Sequence, residues 1–393
     1  MAPSVVVIGG GAIGLSTALN LLDLGARDVV LLEANQLGSG SSGLSVGVIE
    51  TQYLDQIDID MRAWSKQFFL MLERDYGLGL TRNGYLRLAH SNAQVNAFEH
   101  SVDLQRRAGI SDARVLDRSQ IQKVVPDLRV EDLAGGLYGP TDGFIDAHMY
   151  CQLLGGLIRD AGGKVLAEVK LVGHDLLGAG RHRLITTSGE LECDFVVNAA
   201  GAWATEVARV LGTKAYVLPQ RHHVLFVDLP RRLNYMMPEV MDYEPRSGTK
   251  GLYFRHEGFD HLLAGLHSED PLEGVVDPDT YDRSIGFEYI SELSEGLNDR
   301  LPGLDGARLG SGWTGLYPVS PDSFPQIGPM GDSATLIAAC GVGGSGIQIS
   351  PIVGRLAAEW ILFSQPRTVP EASSLVPTRF ESSGNARTAW VPS

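Results

Sequence analysis

The apolar residues at the start of the chain form short runs that polar residues and glycines separate. Val5–Ile8 and Val29–Leu32 are apolar runs of four residues, and an amphipathic stretch that ends at Leu24 lies between them. Short apolar runs bounded by turn residues predict buried strands, and the intervening stretch has the apolar spacing of a helix. The pattern therefore predicts a strand–helix–strand unit with parallel strands.

The same alternation returns later in the chain, so the first domain is predicted to be discontinuous. The pattern predicts a helix over 147–161 followed by a strand over 164–170. It then predicts a buried strand that ends in a tight glycine turn over 194–203, followed by a helix to Leu211. The last part is a strand over 334–340 followed by an apolar helix to about Leu362.

Two intervening segments have a different pattern. Residues 52–140 contain helical stretches at Met61–Tyr76 and Ala93–Ala108, and residues 213–305 contain alternating strands such as Tyr216–Val227 and Gly251–His256. The predicted fold class is α/β: a Rossmann-type domain with a parallel sheet and a second α+β domain with a mainly antiparallel sheet. The first domain is predicted to contain residues 1–51, 141–212 and 306–366, and the second domain residues 52–140 and 213–305. Residues 367–393 are predicted to form a C-terminal tail that is mobile from Ser373.

The turn after the first strand carries the first candidate chemistry. Gly9 permits a tight turn, Gly11 lets a pyrophosphate approach the backbone, and Gly14 lets the helix pack closely on the strand. The diphosphate then meets the free N–H groups of the helix N-terminus. Glu33 closes the second strand 19 residues after Gly14, where a carboxylate binds ribose hydroxyls. The pattern favours a dinucleotide site; a glycine-rich turn in an ordinary βαβ unit is the alternative, and it leaves Glu33 unexplained.

Composition narrows the function. With 393 residues, 44% hydrophobic and 20% charged, the chain can form two domains with substantial cores. The net charge of −15 argues against a nucleic-acid partner, because phosphate binding needs a basic face. No apolar stretch reaches the ~20 residues of a membrane span, and we expect a cytoplasmic protein. Cys151, Cys193 and Cys340 are far apart and are expected to be buried side chains; no metal site is predicted.

Four motifs in order resemble those of the FAD-dependent amino-acid and amine oxidoreductases with the D-amino-acid oxidase fold. They are Gly9–Gly14 with Glu33, the loop Gly38–Ser45, Asn198–Trp203, and Gly341–Gly346 followed by Ile347 and Gln348. This family includes sarcosine oxidase, dimethylglycine dehydrogenase, glycine oxidase and D-arginine dehydrogenase. The resemblance extends from Val5 to about Leu362 and implies FAD and oxidation of a C–N bond.

The resemblance also implies which residues hold FAD. Serine hydroxyls and N–H groups of the Gly38–Ser45 loop suit a diphosphate or ribityl chain, and the helix that Gly341–Gly346 opens can place its positive end at the flavin pyrimidine. A flexible turn and a plain helix start are the alternatives for these two segments. The implied cofactor-binding residues are Gly9, Gly11, Ala12, Ile13, Gly14, Glu33, Ala34, Ser41, Ser42, Gly43, Leu44, Ser45, Val169, Ala200, Gly201, Trp203, Gly315, Gly343, Gly344, Ser345, Gly346, Ile347 and Gln348.

The chain lacks the residues through which relatives attach FAD covalently. Gly315 stands where the sarcosine-oxidase type has a cysteine, and residues 35–60 contain no histidine. We therefore expect noncovalent FAD.

The chain also departs from the family at the substrate's carboxylate. Relatives use arginines or a lysine where this chain has Gly47, Glu50, Tyr317 and Gln348. Glu50 could therefore select a cationic amine, although a capping or surface role is equally open. Arg221 and Arg255 remain as carboxylate anchors or structural ion-pair partners. The candidate catalytic or substrate-pocket residues are Tyr253, Tyr317, His267, Glu50, Arg221 and Arg255.

The expected activity is hydride transfer from the carbon beside an amine or (N-methyl) amino-acid nitrogen to flavin N5, followed by hydrolysis of the imine. The electron acceptor is O2 or another molecule; Leu263, where oxidases carry a lysine, favours a dehydrogenase. Two alternatives stay open: a 2-hydroxy-acid dehydrogenase on the same fold, and a flavoprotein β-type subunit whose activity depends on a partner subunit. A homo-oligomer is also compatible with the sequence.

Overall fold

The first sheet has six strands and joins three separate parts of the sequence. In the computed structural model, which describes residues 3–243, 250–268 and 274–381, its strands are β1 Ser4–Ile8, β2 Asp28–Leu32, β9 Lys164–Leu166, β13 Phe195–Asn198, β19 Gln326–Met330 and β20 Ser333–Cys340. Their order is β19-β20-β13-β1-β2-β9. All neighbours are parallel except β19, which runs antiparallel to β20. The predicted discontinuous parallel sheet is confirmed.

Helices cover this sheet because their apolar faces share its core. The helices of this part are α1 Ala12–Asp23, α2 Gln56–Tyr76, α5 Ala147–Asp160, α6 Ala204–Val210 and α8 Gly346–Phe363. One apolar cluster joins β1, β2 and the inner faces of α1, α2, α5 and α8. The sequence analysis placed α2 in the second domain with residues 52–140, but Met61, Phe69 and Leu72 are buried in the first core.

The second sheet has eight strands. They are β5 Tyr85–Ala89, β6 Arg114–Leu116, β7 Gly135–Gly139, β14 Leu218–Asp228, β15 Glu239–Asp242, β16 Gly251–His256, β17 His261–His267 and β18 Arg308–Val319. Their order is β18-β14-β17-β16-β15-β5-β7-β6, and every neighbouring pair is antiparallel except β15 with β5. The assignment of 306–366 to the first domain is thus wrong for β18, which pairs with β14 along most of its length.

Successive residues of these strands point to opposite faces of the second sheet. Leu252 and Phe254 of β16 lie on the face that packs against helix α7, Phe287–Arg300, in a separate apolar core. The helices α3 Asn92–Arg107 and α4 Arg118–Val124 flank the other end of the sheet. The opposite face of β16 carries Tyr253 and Arg255 and is turned toward the first domain.

Two small sheets complete the fold. One contains β3 Val48–Ile49, β4 Leu80–Thr81 and β8 Gly143–Ile145, and the other contains β10 Leu171–Leu176, β11 His182–Thr186 and β12 Gly189–Cys193. The strand predicted over 164–170 ends at Leu166, and Glu168 then adopts a left-handed conformation with φ 61°.

The tail is ordered over its first part, contrary to the expectation of mobility from Ser373. Two 3₁₀ turns cover Pro370–Leu375 and Pro377–Phe380. Ala372 and Leu375 are buried in the first core, and Arg379 forms an ion pair with Asp322 at 2.7 Å. Residues 382–393 lie outside the described residues.

All three cysteines are buried, as predicted. Among the described residues, no helix combines the length and apolar content needed to cross a membrane. In the same part of the chain, no group of His, Cys, Asp and Glu side chains could hold a metal ion.

Candidate active site

The turn between β1 and α1 has the close packing that its glycines predict. A Cβ atom at Gly9 would lie 2.3 Å from the Ala199 carbonyl oxygen, and one at Gly14 would lie 1.9 Å from the Gly9 carbonyl oxygen. A Cβ atom at Gly11 would meet only the Ser42 hydroxyl, at 3.0 Å. The first and third glycines therefore hold the strand against the helix, and Gly11 leaves the helix N-terminus open to a ligand.

The serine-rich loop lies directly beside this helix start. Ser42 accepts a hydrogen bond from the Ala12 N–H at 3.0 Å, and α1 otherwise begins without a side-chain cap. The Glu33 carboxylate, at the end of β2, accepts bonds from the N–H groups of Gly10 at 2.6 Å and Asn35 at 2.8 Å. Val169 is held next to it, because its N–H donates to the Glu33 carbonyl at 2.8 Å. Turn, loop, carboxylate and Val169 thus form one continuous surface.

The segment 198–203 completes this surface from β13. The Gly9 turn packs against the backbone of Ala199 and Ala200, and Gly201 has a left-handed φ of 55°. The Trp203 ring lies 3.6 Å from the position of a Gly40 Cβ, and its indole N–H donates to Asp279 at 2.8 Å. Trp203 therefore connects the serine-rich loop to the segment after β17.

The late glycine segment lies beneath the second sheet. Gly343–Ser345 form a 3₁₀ turn from which α8 begins at Gly346. A Cβ atom at Gly344 would lie 2.5 Å from the Tyr317 ring, so only glycine lets β18 approach this turn. The side-chain oxygen Oε1 of Gln348 is buried without a hydrogen-bond partner among the described residues. An unpaired buried acceptor next to a helix N-terminus is the arrangement expected where a polar ligand binds.

These segments fit FAD. The open helix start at Gly11 suits a diphosphate, and Glu33 stands where ribose hydroxyls would lie. The N-terminus of α8 offers partial positive charge for a ring that becomes more negative on reduction. Gly315 of β18 lies against the serine-rich loop, since a Cβ atom there would make an ordinary contact with Leu44 at 3.5 Å.

One face of the eight-stranded sheet covers this cofactor surface. The Trp313 indole N–H donates to the Leu44 carbonyl at 2.8 Å, and Val46 packs with Tyr253 and Leu263. Cross-strand partners point to the same face, so the register places one set of side chains there. The set includes the following side chains, which we call the cofactor-facing set: Tyr85, Arg87, His222, Glu239, Met241, Tyr253, Arg255, Leu263, His267, Trp313 and Tyr317.

Tyr253 and Tyr317 belong to this set, as expected of pocket walls. The Tyr253 hydroxyl lies 3.5 Å from the His223 carbonyl and rests over Gly265, where a Cβ atom would be 2.5 Å away. The Tyr317 ring stacks on His222 with centroids 3.6 Å apart. Tyr317 is half-buried and lies between the sheet and Gly344.

His267 also belongs to the set. Its ring meets the Tyr243 ring edge-on at 4.7 Å. Burial lowers its pKa to about 4, and the Arg87 cation adds to this effect. Burial likewise lowers the pKa of His222 to about 3. Both imidazoles are therefore neutral near pH 7 and are weak proton acceptors.

Glu50 faces the interior and is only 3% exposed. It accepts a hydrogen bond from the Gln52 N–H. Burial raises its pKa, and the cations of Arg62 and Arg87 oppose that increase. The surface role is excluded by this burial, and Glu50 lies in the same electrostatic environment as the cofactor-facing set.

Tyr53 and Arg62 connect the neighbourhood of Glu50 to the start of α8. The Arg62 guanidinium lies 3.3 Å above the Tyr53 ring and donates to the Ser345 hydroxyl at 3.0 Å. The Tyr53 hydroxyl lies 3.2 Å from the same oxygen. Since Arg62 belongs to α2, this network fixes the glycine turn at Ser345 against that helix.

Arg221 does not reach this site. It alternates with Gln220 and His222 on β14, and its guanidinium donates to the Asp282 carbonyl at 2.7 Å. Arg255 lies on the correct face, but its guanidinium donates to Glu257 at 2.6 Å and lies 3.8 Å above the Phe144 ring. The structure thus favours the structural alternative for Arg221 and gives Arg255 an existing carboxylate partner.

Arg87 and Glu239 are the polar residues of this face that the sequence analysis missed. Arg87 is partly exposed, its Nε has no hydrogen-bond partner, and no carboxylate of the described residues lies within ion-pair distance. Glu239 is 6% exposed, and its Oε2 has no partner among the described residues. A period-two alternation in Tyr85–Ala89, with Tyr85 and Arg87 among leucines, was the available signal.

The chain is similar to flavoenzymes over nearly its whole length. The sequence profile of the family described as DAO, FAD dependent oxidoreductase, matches residues 4–360. Mouse (Mus musculus) mitochondrial sarcosine dehydrogenase is 27% identical over 399 residues, which cover 99% of this chain and 42% of that protein. Human (Homo sapiens) mitochondrial dimethylglycine dehydrogenase is 27% identical over 92% of this chain and 42% of that protein.

Among solved structures, L-proline dehydrogenase from P. horikoshii has a TM-score of 0.85 at 24% identity, covering 97% of this chain and 98% of that one. This likeness concerns the fold. The chain spans about two fifths of the length of the two curated relatives above.

Proposed function

The chain belongs to the DAO family of FAD-dependent oxidoreductases, and from this premise we propose that it oxidises the C–N bond of an amine or amino acid, N-methylated ones included. The observation that carries the proposal is the cofactor-facing set, in which Arg87 and Glu239 lie on the paired strands β5 and β15 and each has a buried polar atom without a partner among the described residues. Buried polar groups without partners are costly, so a ligand that pairs with them is the arrangement they support.

The charged side chains of the cofactor-facing set indicate the class of substrate. Arg87 is a partly buried cation without a carboxylate partner among the described residues, and guanidinium geometry suits a carboxylate. Glu239 offers an acceptor for an amine N–H. An amino acid carries both complementary groups, whereas a 2-hydroxy acid lacks the amine.

The reaction requires that the donor is held with the carbon beside its nitrogen at the flavin. FAD, when bound, accepts the hydride that the carbon beside the nitrogen gives up. Arg87 would hold the carboxylate, while Tyr253 and Tyr317 would exclude water and confine the carbon chain. The nitrogen loses a proton, and the imine that forms takes up water. An acyclic imine then gives a carbonyl compound and a smaller amine or ammonia, whereas a cyclic one opens to a single amino-carbonyl compound.

Three further properties are proposals. FAD is held noncovalently, because Gly315 offers no nucleophile. An acceptor other than O2 reoxidises the enzyme, which Leu263 on the cofactor-facing side supports. A cytoplasmic location is supported by the acidic composition.

The test is anaerobic mixing of the purified yellow protein with a panel of donors while flavin absorbance is followed. Sarcosine, N,N-dimethylglycine, L-proline and glycine represent the amino acids, dimethylamine a simple amine, and lactate and glycerol 3-phosphate the hydroxy compounds. We expect bleaching by one or more amino-group donors and none by the hydroxy compounds. Bleaching by a hydroxy compound alone would contradict the proposal, and readmission of air then separates an oxidase from a dehydrogenase by the rate of colour recovery.

A further inference from the structure

We propose that Glu239 is the base that takes the proton from the substrate's ammonium group before the C–N bond is oxidised. This inference rests on the proposed function, and it adds a catalytic residue to the cofactor-facing set.

The position of Glu239 supports this role. It is the first residue of β15, opposite Tyr85 on β5, and its neighbour Val240 pairs with Phe254 of β16. Its side chain is more than nine-tenths buried, and Oε2 has no hydrogen-bond partner in the described part of the chain. The Arg255 guanidinium is already bonded to Glu257 and to the His256 carbonyl. Among the described residues, Arg255 thus has its ion pair with Glu257, and Glu239 has none.

The groups that face Glu239 act on the pKa of its carboxyl group. They are Arg255 and Tyr253 of β16, Tyr85 of β5, Tyr317 of β18, and Glu50 from the first domain. Burial raises the pKa of Glu239 to about 8; Arg255 opposes this and the Glu50 carboxylate reinforces it.

This proton affinity matches the chemical need. Only a neutral amine has the lone pair that the forming imine requires, yet an alkylammonium such as lysine's has a pKa of about 10.4. A carboxylate with the ordinary pKa of about 4.3 would hold the transferred proton very poorly at neutral pH. In the proposed step the N–H bond breaks, an O–H bond forms at Glu239, and no electrons pass to another group. Solvent removes the proton after the product leaves.

The other polar groups of the site are less suited to accept the ammonium proton. Glu50 accepts the Gln52 N–H and lies beside two cations that stabilise its ionised form. His222 and His267 have lowered pKa values and hold a proton weakly near pH 7. Tyr253 and Tyr317 are neutral phenols, since burial raises the pKa of each.

The experiment compares the FAD-loaded wild type, Glu239→Gln and Glu239→Asp in anaerobic flavin reduction by the best amine donor between pH 6 and 10. Glu190→Gln is the matched control, because Glu190 lies on β12, exposed and remote from this face. A second readout needs no turnover: the infrared carbonyl band of protonated carboxyl groups is titrated in wild type and Glu239→Gln.

The inference predicts a wild-type rate that rises with pH through about 8, because the carboxylate form of Glu239 increases there. Glu239→Gln should be slower by roughly 100-fold or more at pH 7 and should recover as the amine itself loses its proton at higher pH. Glu239→Asp should keep the rise near pH 8 with a lower rate. The infrared band that disappears near pH 8 in the wild type should be missing in Glu239→Gln.

Three results would overturn the inference. One is a Glu239→Gln rate within a few-fold of wild type with the same pH profile; another is a uniform loss at every pH, which indicates a structural role. If Glu239→Gln does not fold, the third result is a Glu239→Asp variant whose rate does not rise with pH near 8. If no amine reduces the wild type at all, the proposed function itself fails, which is distinguishable from these results.

Discussion

Arg87 is a single residue whose replacement tests the substrate class. Arg87→Gln removes the charge and the fork geometry, so KM for a carboxylate-bearing donor should rise. A hydrogen bond to a charged group contributes about 1.5–3 kcal/mol, which corresponds to roughly ten- to hundredfold in KM. Steady-state assays with sarcosine and dimethylamine measure the effect, because these donors differ by the carboxymethyl group.

The comparison of the two donors is the control. KM for dimethylamine should change little, since this donor has no carboxylate for Arg87 to bind. An equal loss for both donors would mean that Arg87 supports the structure of the cavity and does not bind carboxylate.

Replacement of Glu50 tests the electrostatics around Arg87. Glu50→Gln removes a negative charge near Arg87, so kcat/KM should shift several-fold toward carboxylate-bearing donors and away from donors with a second cationic group. The measurement is kcat/KM for sarcosine, dimethylamine and a diamine. An unchanged order of preference would show that Glu50 has no electrostatic role in selection.

The sequence predicted some of these residues and missed others for identifiable reasons. Tyr253, Tyr317 and His267 could be proposed as site residues because aromatic and imidazole side chains stand out in apolar strands, and the strand register places them on the cofactor-facing side. Arg87 and Glu239 were missed because β5 and β15 are short, and only the pairing of these two strands brings them to one face. Arg221 looked equivalent to Arg255 in sequence, but strand alternation separates their faces.

At the level of elements, the β1–α1 turn is the feature on which FAD binding depends. Gly14→Ala would place a methyl group 1.9 Å from the Gly9 carbonyl oxygen, so strand and helix must separate. Overpacking of this kind costs about 1–3 kcal/mol or more, and we expect a lower Tm and loss of bound flavin. Thermal unfolding and the ratio of flavin to protein absorbance measure both effects.

Gly156 of α5 provides the matched control. A Cβ atom there would meet no other atom within 4 Å. Gly156→Ala should leave flavin content unchanged and stabilise the protein by about 0.5–1 kcal/mol, because alanine is the better helix residue. Equal flavin loss in both variants would contradict the specific role of Gly14.

The placement of α2 and β18 was beyond sequence reasoning. Both have patterns typical of their secondary structure, but an amphipathic helix does not reveal which core receives its apolar face. Long-range contacts determine the domain of each element, because α2 packs on α8 and β18 pairs with β14. The glycine motifs, in contrast, were recognisable because each serves a local close approach.

For the whole molecule, the absence of an attachment residue predicts how FAD is held. Acid precipitation of the purified protein should release the flavin into the supernatant, because Gly315 cannot form a covalent bond with it. Yellow colour that stays with the denatured pellet would contradict noncovalent binding. The bleaching of free flavin standards treated in the same way is the control for chemical loss.

The overall architecture was accessible from sequence because its motifs occur in a fixed order. The parallel sheet contains strands from three parts of the chain, and each part was recognisable in the sequence by an apolar run and a glycine turn. The tail was less accessible: its serines suggested mobility, whereas Ala372 and Leu375 fill the first core. The two 3₁₀ turns of the tail pack against β19, so a few apolar residues order this segment.

Single-turnover product analysis tests oxidation of the C–N bond. The FAD-loaded protein is reduced anaerobically by sarcosine, or by the amine that bleaches it fastest, and the carbonyl compound formed is quantified against flavin reduced. With an acyclic donor, oxidation of the C–N bond predicts one carbonyl product and one shortened amine or ammonia for each flavin; with a cyclic donor such as L-proline it predicts one ring-opened amino-aldehyde, in equilibrium with its cyclic imine, and no released amine. Flavin reduction without one carbonyl or imine product for each flavin, or reduction by hydroxy acids alone, would contradict this reaction.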